Sequence, residues 1–320
     1  MRGIKWGILA CLLMVCLAAP AVQADEKIIY SYKPDGVENY AIYTMGPGYT
    51  DEGTALLDLP EVNAWCPRVS PDGKKVAFID RNTAKIWLAN MDGTDAHILE
   101  TPVGAKSLAW SSDGNNIYFW ASATSESDLE QFYSVPAAGG DASLLWGGQG
   151  YWAWFMDGGF GVQGVTNSDT GEVTDYILLG ATTAVFDKCN LLRIKVSTDP
   201  QAAETLFSGL GDIYTPVAGP MDGRLIFQAD HDRAGSHAVY MMQDDGSASK
   251  MTDLYSGSPW WNSEQRWFVF IHADQSNYGQ SAYQGRMYLL EVFEGGRLLE
   301  QTTQGTAACP SVYTEAEEEG

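Results

Sequence analysis

Positive charge is scarce in this chain. Lys plus Arg number 19 against 41 Asp plus Glu in 320 residues, a formal net charge of −22. That balance excludes a nucleic-acid binder held by phosphate contacts, since no basic patch stands out. An anionic membrane surface is an equally poor partner. Long apolar runs are lacking too. Residues 8–17 are apolar but too short to span a bilayer and remain there, so no membrane span is expected. Arg2 and Lys5 precede that run and Val22-Gln23-Ala24 follows it, the layout of a secretory signal peptide cleaved after Ala24. Cysteine is sparse. Cys11 and Cys16 fall within the signal, leaving Cys66, Cys189 and Cys309, which allow one internal disulfide in an oxidising compartment. Catalytic signatures are missing as well: no Ser has Gly two residues before and two after it, and no HExxH occurs. Aromatic residues are abundant, with 11 Trp and 16 Tyr, so a disordered acidic chain is also excluded.

What is present is a repeat. Trp65-Cys66-Pro67-Arg68-Val69-Ser70-Pro71-Asp72-Gly73 leads into the apolar Val76-Ala77-Phe78. The same shape returns around Asp113-Gly114, Asp157-Gly158 and Asp222-Gly223, and in degenerate form around Glu264. Each copy reads as two strands joined by a tight turn, where Gly accepts positive φ and Asp bonds its own backbone. A second hairpin follows each, as in Lys85-Ile86-Trp87-Leu88 before Asp92-Gly93. Four strands per unit, at spacings of roughly 40 to 65 residues, predict propeller blades.

The ends predict how a ring closes. Lys27-Ile28-Ile29-Tyr30 matches the second strand of a blade with no first strand before it. Ala308-Cys309-Pro310-Ser311-Val312 matches a first strand, copying Trp65-Cys66-Pro67-Arg68-Val69. The expectation is an all-β, six-bladed β-propeller of four-stranded antiparallel blades over residues 25–320, its ring closed by the C-terminal strand joining the N-terminal blade.

The Ser-Pro-Asp-Gly turn at 70–73, the Asn-Met-Asp-Gly turn at 90–93 and the six-unit count resemble the WD-like repeats of the TolB-type β-propeller family. The resemblance covers nearly all of residues 27–313. It implies a periplasmic or extracellular propeller. The family's extra N-terminal α/β domain has no counterpart in this sequence, so its translocation and protein-binding role does not transfer directly.

Candidate functional positions follow from the blade plan. Asp230-His231-Asp232 and His237 fall in the second-to-third loop of the fifth blade, with His272 and Asp274 opening the equivalent loop of the sixth. Three imidazoles with carboxylates beside them are a ligand set for a divalent transition metal. Six-bladed pectin-fragment lyases are similar in this respect. Solvated loop residues are the plainer interpretation. Trp152, Trp154, Trp260 and Trp261 fall on predicted first strands, where they either stack on a sugar or peptide in the channel or wedge between blades. Cys66 and Cys309 hold the same repeat position in adjacent blades and are the candidate disulfide. The stretch 163–191, with Asn167-Ser168-Asp169-Thr170-Gly171-Glu172, exceeds the repeat and predicts either a flap over the channel or an extended hairpin of the second and third strands. Two functions remain open. One is a non-enzymatic scaffold for a protein or peptide, preferably basic, that needs no cofactor. The other is a metal-dependent, carbohydrate-active enzyme resembling polysaccharide-fragment lyases.

Overall fold

The computed structural model describes residues 26–48, 52–121, 131–147, 152–153, 159–182, 189–197, 203–208, 211–230, 237–253, 255–273, 284–293, 296–302 and 304–315. Its strands form six antiparallel groups. The first joins Thr306–Thr314, Glu26–Lys33, Ala41–Met45 and Thr54–Leu57, in that order. The second is Ala64–Val69, Lys75–Asp80, Lys85–Asn90 and His97–Leu99, and the third Ser107–Trp110, Asn116–Ala121, Gln131–Pro136 and Ser143–Trp146. In the fourth, Trp152–Ala153 and Gly161–Thr166 share one edge of Val173–Thr182, followed by Asn190–Lys195 and Glu204–Ser208. The fifth is Asp212–Ala218, Leu225–Asp230, Ala238–Met242 and Ala248–Lys250, and the sixth Ser256–Trp261, Trp267–His272, Gln284–Glu291 and Leu298–Glu300. The pairs Gln284↔Ala308 and Gly285↔Ala307 tie the sixth blade to the first. The last strand completes the first blade, with Ile28 opposite Val312 and Lys33 opposite Thr306.

The core is divided among the interfaces between blades. In the second strand of the second blade, Val76 and Phe78 pack toward the first blade against Ile29 and Ile42. Their neighbours Ala77 and Ile79 face the opposite way and pack on Leu108, Ile117 and Phe119 of the third blade. The same alternation fills the remaining four interfaces. Because a strand's side chains alternate, burial of both faces demands the unbroken apolar runs that the sequence shows at these positions. Each fully buried Phe or Ile there contributes about 1.5–3 kcal/mol relative to exposure.

The turns are wired as their residues require. Ser70 Oγ donates to Asp72 Oδ1 at 2.6 Å and accepts from Lys75 N at 2.9 Å, while Asp72 accepts from Lys74 N at 3.1 Å. Ser111, Asp113 and Asn116 repeat the pattern in the third blade. Glycine takes the left-handed corner at 73, 114 and 223. In the degenerate sixth copy Gln265 occupies that corner at φ 51°, and Asn262 Oδ1 replaces serine by accepting from Arg266 N and Trp267 N at 2.7 and 3.0 Å.

The fourth blade corrects the sequence-based placement. Asp157-Gly158 lies outside the described residues, and the turn joining the first and second strands is at 167–172. Gly161 and Val162 sit on the first-strand edge, opposite Leu178 and Ile177. Asn167 Oδ1 accepts from Asp169 N at 2.8 Å and Thr170 N at 3.2 Å, building the turn locally. The surplus residues are thus a long hairpin of first and second strands, rather than second and third. It leans on the third blade, where Asp175 Oδ2 accepts from Ser112 N at 3.1 Å and from the Tyr118 hydroxyl at 2.8 Å.

Blade four meets blade five through glycine. A Cβ on Gly180 would collide with the Ile213 carbonyl oxygen, and one on Gly161 with that of Pro216. Since these obstacles are backbone, Gly180→Ala should cost about 1–3 kcal/mol or more by forcing the strands apart. The check is a lower urea midpoint at unchanged m-value; unchanged stability would contradict this packing.

Candidate functional site: the channel mouth

The innermost strands carry a shared irregularity. Cys66, Thr215, Ser258 and Cys309 have φ of 51°, 45°, 51° and 48°, and each precedes a proline. Ladder register shifts at all four. An extra residue in the left-handed region makes a bulge, and proline fits beside it because no ladder hydrogen bond is asked of its nitrogen. Two of the displaced amides are caught by the neighbouring blade. Cys66 N donates to Ser31 Oγ at 3.1 Å, and Ser258 N donates to the fully buried Gln228 Oε1 at 3.1 Å. At the bulges of the first and second blades, Cys66 and Cys309 are disulfide-bonded, with Cα atoms 4.9 Å apart and a sequence separation of 243.

Two residues beyond each bulge, Arg68, Val217, Trp260 and Ser311 occupy equivalent positions. Arg68 is 6% exposed. Its Nη1 donates to Pro67 O at 2.9 Å and Cys309 O at 3.3 Å, and its guanidinium lies 4.5 Å from the centre of the Trp260 ring. Burial alone pulls its pKa down to about 10, so the group stays cationic at neutral pH. Beyond this layer lies a cavity of about 320 Å³ on the face bearing the Asp-Gly turns. Its walls come from five blades and include Val69, Val162, Val217, Trp260, Trp261 and Tyr313. Glu26, 1% exposed, also lines it, and its carboxylate accepts from Asn262 Nδ2 at 3.2 Å, from Ser263 N at 2.8 Å and from Ser263 Oγ. An apolar, aromatic wall with a few placed polar groups is the make-up of a ligand site.

The residues singled out in the sequence divide. Trp260 lines the cavity. Trp261 lines it too but is 3% exposed and packs edge-on against Phe268 at 5.6 Å in the interface of blades five and six, so packing is its main role. Trp152 pairs through its backbone with Thr182, while its side chain lies outside the described residues, as do Trp154, His231, Asp232 and Asp274. Asp230 ends the second strand of blade five directly opposite Asp212, and His237 stacks edge-on against Tyr214 at 5.0 Å. Burial lowers the His237 pKa, opposed by the charges of Asp230 and Asp212, and burial also raises that of Tyr214. His272 belongs to blade six, where its Nδ1 shares a hydrogen bond with Ser256 Oγ at 3.1 Å and its ring meets Tyr288. It faces a separate cavity of about 450 Å³ at the boundary with blade five. Among the described residues no three His, Cys, Asp or Glu side chains converge as a metal site. Arg68 and Glu26 were not anticipated. The repeated X-Pro step at 66, 215, 258 and 309 was the available signal for the bulges.

A ring of antiparallel blades defines this molecule as an all-β propeller. Among solved structures it is similar to TolB from Acinetobacter baumannii, at 12% identity and TM-score 0.62, covering 90% of this chain and 67% of that one. The putative TolB from Agrobacterium tumefaciens is similar at 15% identity and TM-score 0.57, over 89% and 91% of the two chains. A chain of a nidogen/laminin complex is similar at 11% identity and TM-score 0.60, over 91% and 99%. No family model and no curated protein sequence matches the chain.

Peptide mapping without reductant should recover Cys66 and Cys309 in one cross-linked product, and removing both should cost roughly 5 kcal/mol by loop entropy; two free thiols would contradict the bond. The lowered His237 pKa makes its neutral form favourable to folding. That contribution is complete above the ordinary histidine value of about 6.5 and declines as pH falls through it toward the lower folded value. The melting midpoint should therefore drop between about pH 7 and pH 5, and His237→Gln should flatten that drop. Asp72 and Asp113, held low chiefly by their serine donors, contribute stability that is lost only at more acid pH, below the ordinary carboxylate value of about 4.

Proposed function

We propose that this chain is a secreted or periplasmic, non-enzymatic propeller that binds a protein or peptide at its channel mouth. The observation that carries the reading is the cavity walled by five blades, where Trp260 and Tyr313 supply flat apolar surface beside hydrogen-bonding groups. Aromatic anchors in a concave, largely preformed pocket are the usual centre of a peptide or protein interface. Three further features support it. The first 24 residues have the layout of an export signal. Among the described residues no helix is long and apolar enough to cross a membrane. One of the similar chains was solved within a nidogen/laminin complex, so a ring of this shape takes part in a protein complex elsewhere. With 41 acidic residues against 19 basic ones, the field of the molecule favours a basic partner and speeds its approach.

The test is a soluble library of random dodecapeptides passed over the immobilised chain 25–320, with retained peptides identified by mass spectrometry. Retained sequences should be enriched in Lys and Arg, release as salt rises, and bind about tenfold more weakly to Trp260→Ala. Retention indifferent to Trp260→Ala would overturn the site. A stoichiometric transition metal in the purified protein, lost on His272→Ala, would overturn the reading in favour of the metal-dependent lyase.

A further inference from the structure

Arg68 is a cation buried without an anion. None of the described residues forms an ion pair with it, although the chain is rich in carboxylates. Both hydrogens of Nη1 are used by Pro67 O and Cys309 O. Nε and Nη2 donate to no acceptor among the described residues. Those two nitrogens form the side-on fork of a guanidinium, whose spacing matches the two oxygens of a carboxylate. The contact with the Trp260 ring, 4.5 Å from its centre, helps hold the group in place. An open fork on a cation that no carboxylate of the described residues meets is a place for an outside anion.

Position narrows the anion. The Arg68 side chain starts on the second blade, passes the Cys309 carbonyl of the first and ends over Trp260 of the sixth. It therefore lies along one side of the channel, in the layer shared by the cavity-lining Val217 and Trp260. A ligand entering from the turn face meets that layer with its leading end, which suits a chain end. Glu26 lies one layer nearer the turns, held by Asn262 and Ser263. Acid outside and cation inside is the complement of a peptide whose terminal carboxylate follows a basic residue.

We propose that Arg68 and Trp260 form a carboxylate receptor at the foot of the cavity, and that its occupant is the C-terminal carboxylate of a bound peptide. This deepens the peptide-binding reading and rests on it. The test is an array of random hexapeptides tethered through their N-termini, each sequence present with a free C-terminus and as the amide, probed with the full chain. Free-carboxylate forms should bind about tenfold or more tightly than their amides. Arg68→Gln should abolish that difference, and Arg68→Lys, which keeps the charge but loses the fork, should restore only part of it. Circular dichroism establishes that each variant is folded. If Arg68→Gln does not fold, the wild-type chain decides: succinate should displace bound peptides where sodium chloride of equal ionic strength does not. Equal binding of both forms, with no displacement by succinate, overturns the carboxylate receptor and leaves peptide binding standing. A preference for internal Asp or Glu regardless of amidation overturns the chain-end assignment. Binding of neither form overturns both readings.

Discussion

A sheet buried on both faces needs a neighbour on each side, and this constraint organises the whole molecule. Phe78 and Ile79 are adjacent in sequence yet belong to different interfaces, and the same is true of Leu178 and Leu179 in the fourth blade. An open row of such blades would leave one apolar face bare at each end. Bending the row into a ring covers both, and the blade made from the two distant segments 26–57 and 306–314 is where the cover is completed. The disulfide and the two-pair bridge from Gln284 and Gly285 fall at this same seam.

Closing a ring of strands around an axis crowds their inner edges, and the local irregularities gather there. Four left-handed residues, their four prolines, the catches at Ser31 and Gln228 and the glycines of blade four all lie on or against the first strands. The buried guanidinium is part of the same layer. Backbone strain and a buried charge without an anion both oppose folding, and both are concentrated in this inner layer of strands.

Much of this architecture was legible in the residues. The Ser-x-Asp-Gly spacing at 70–73 and 111–114 specifies a turn completely, because serine and aspartate cap each other and glycine takes the left-handed corner. Around Asp157-Gly158 the sequence lacks the serine of those turns, Phe155 standing in its place, and the described turn of blade four is built on Asn167 instead. The match between residues 308–312 and 65–69 identified the closing strand because it preserved the X-Pro step as well as the apolar pattern. The channel chemistry was harder to see. Arg68 looks like an ordinary polar strand residue until the ring brings Trp260 and Cys309 against it from blades remote in sequence. His237 and His272 looked alike by position, yet one packs within blade five and the other lines a cleft between blades five and six, a distinction set by side-chain direction rather than spacing.

The split first blade has a consequence for biosynthesis. Until residues 306–314 arrive, Glu26–Lys33 presents an unpaired backbone edge, and the apolar faces at both ends of the row stay wet. The contact that ends this state has the longest sequence separation of any strand pair in the fold, so it tends to slow folding more than local hairpins do. A nascent chain would spend that interval exposed to mispairing with its own kind, and a chaperone that shields the first blade would matter more than one acting later.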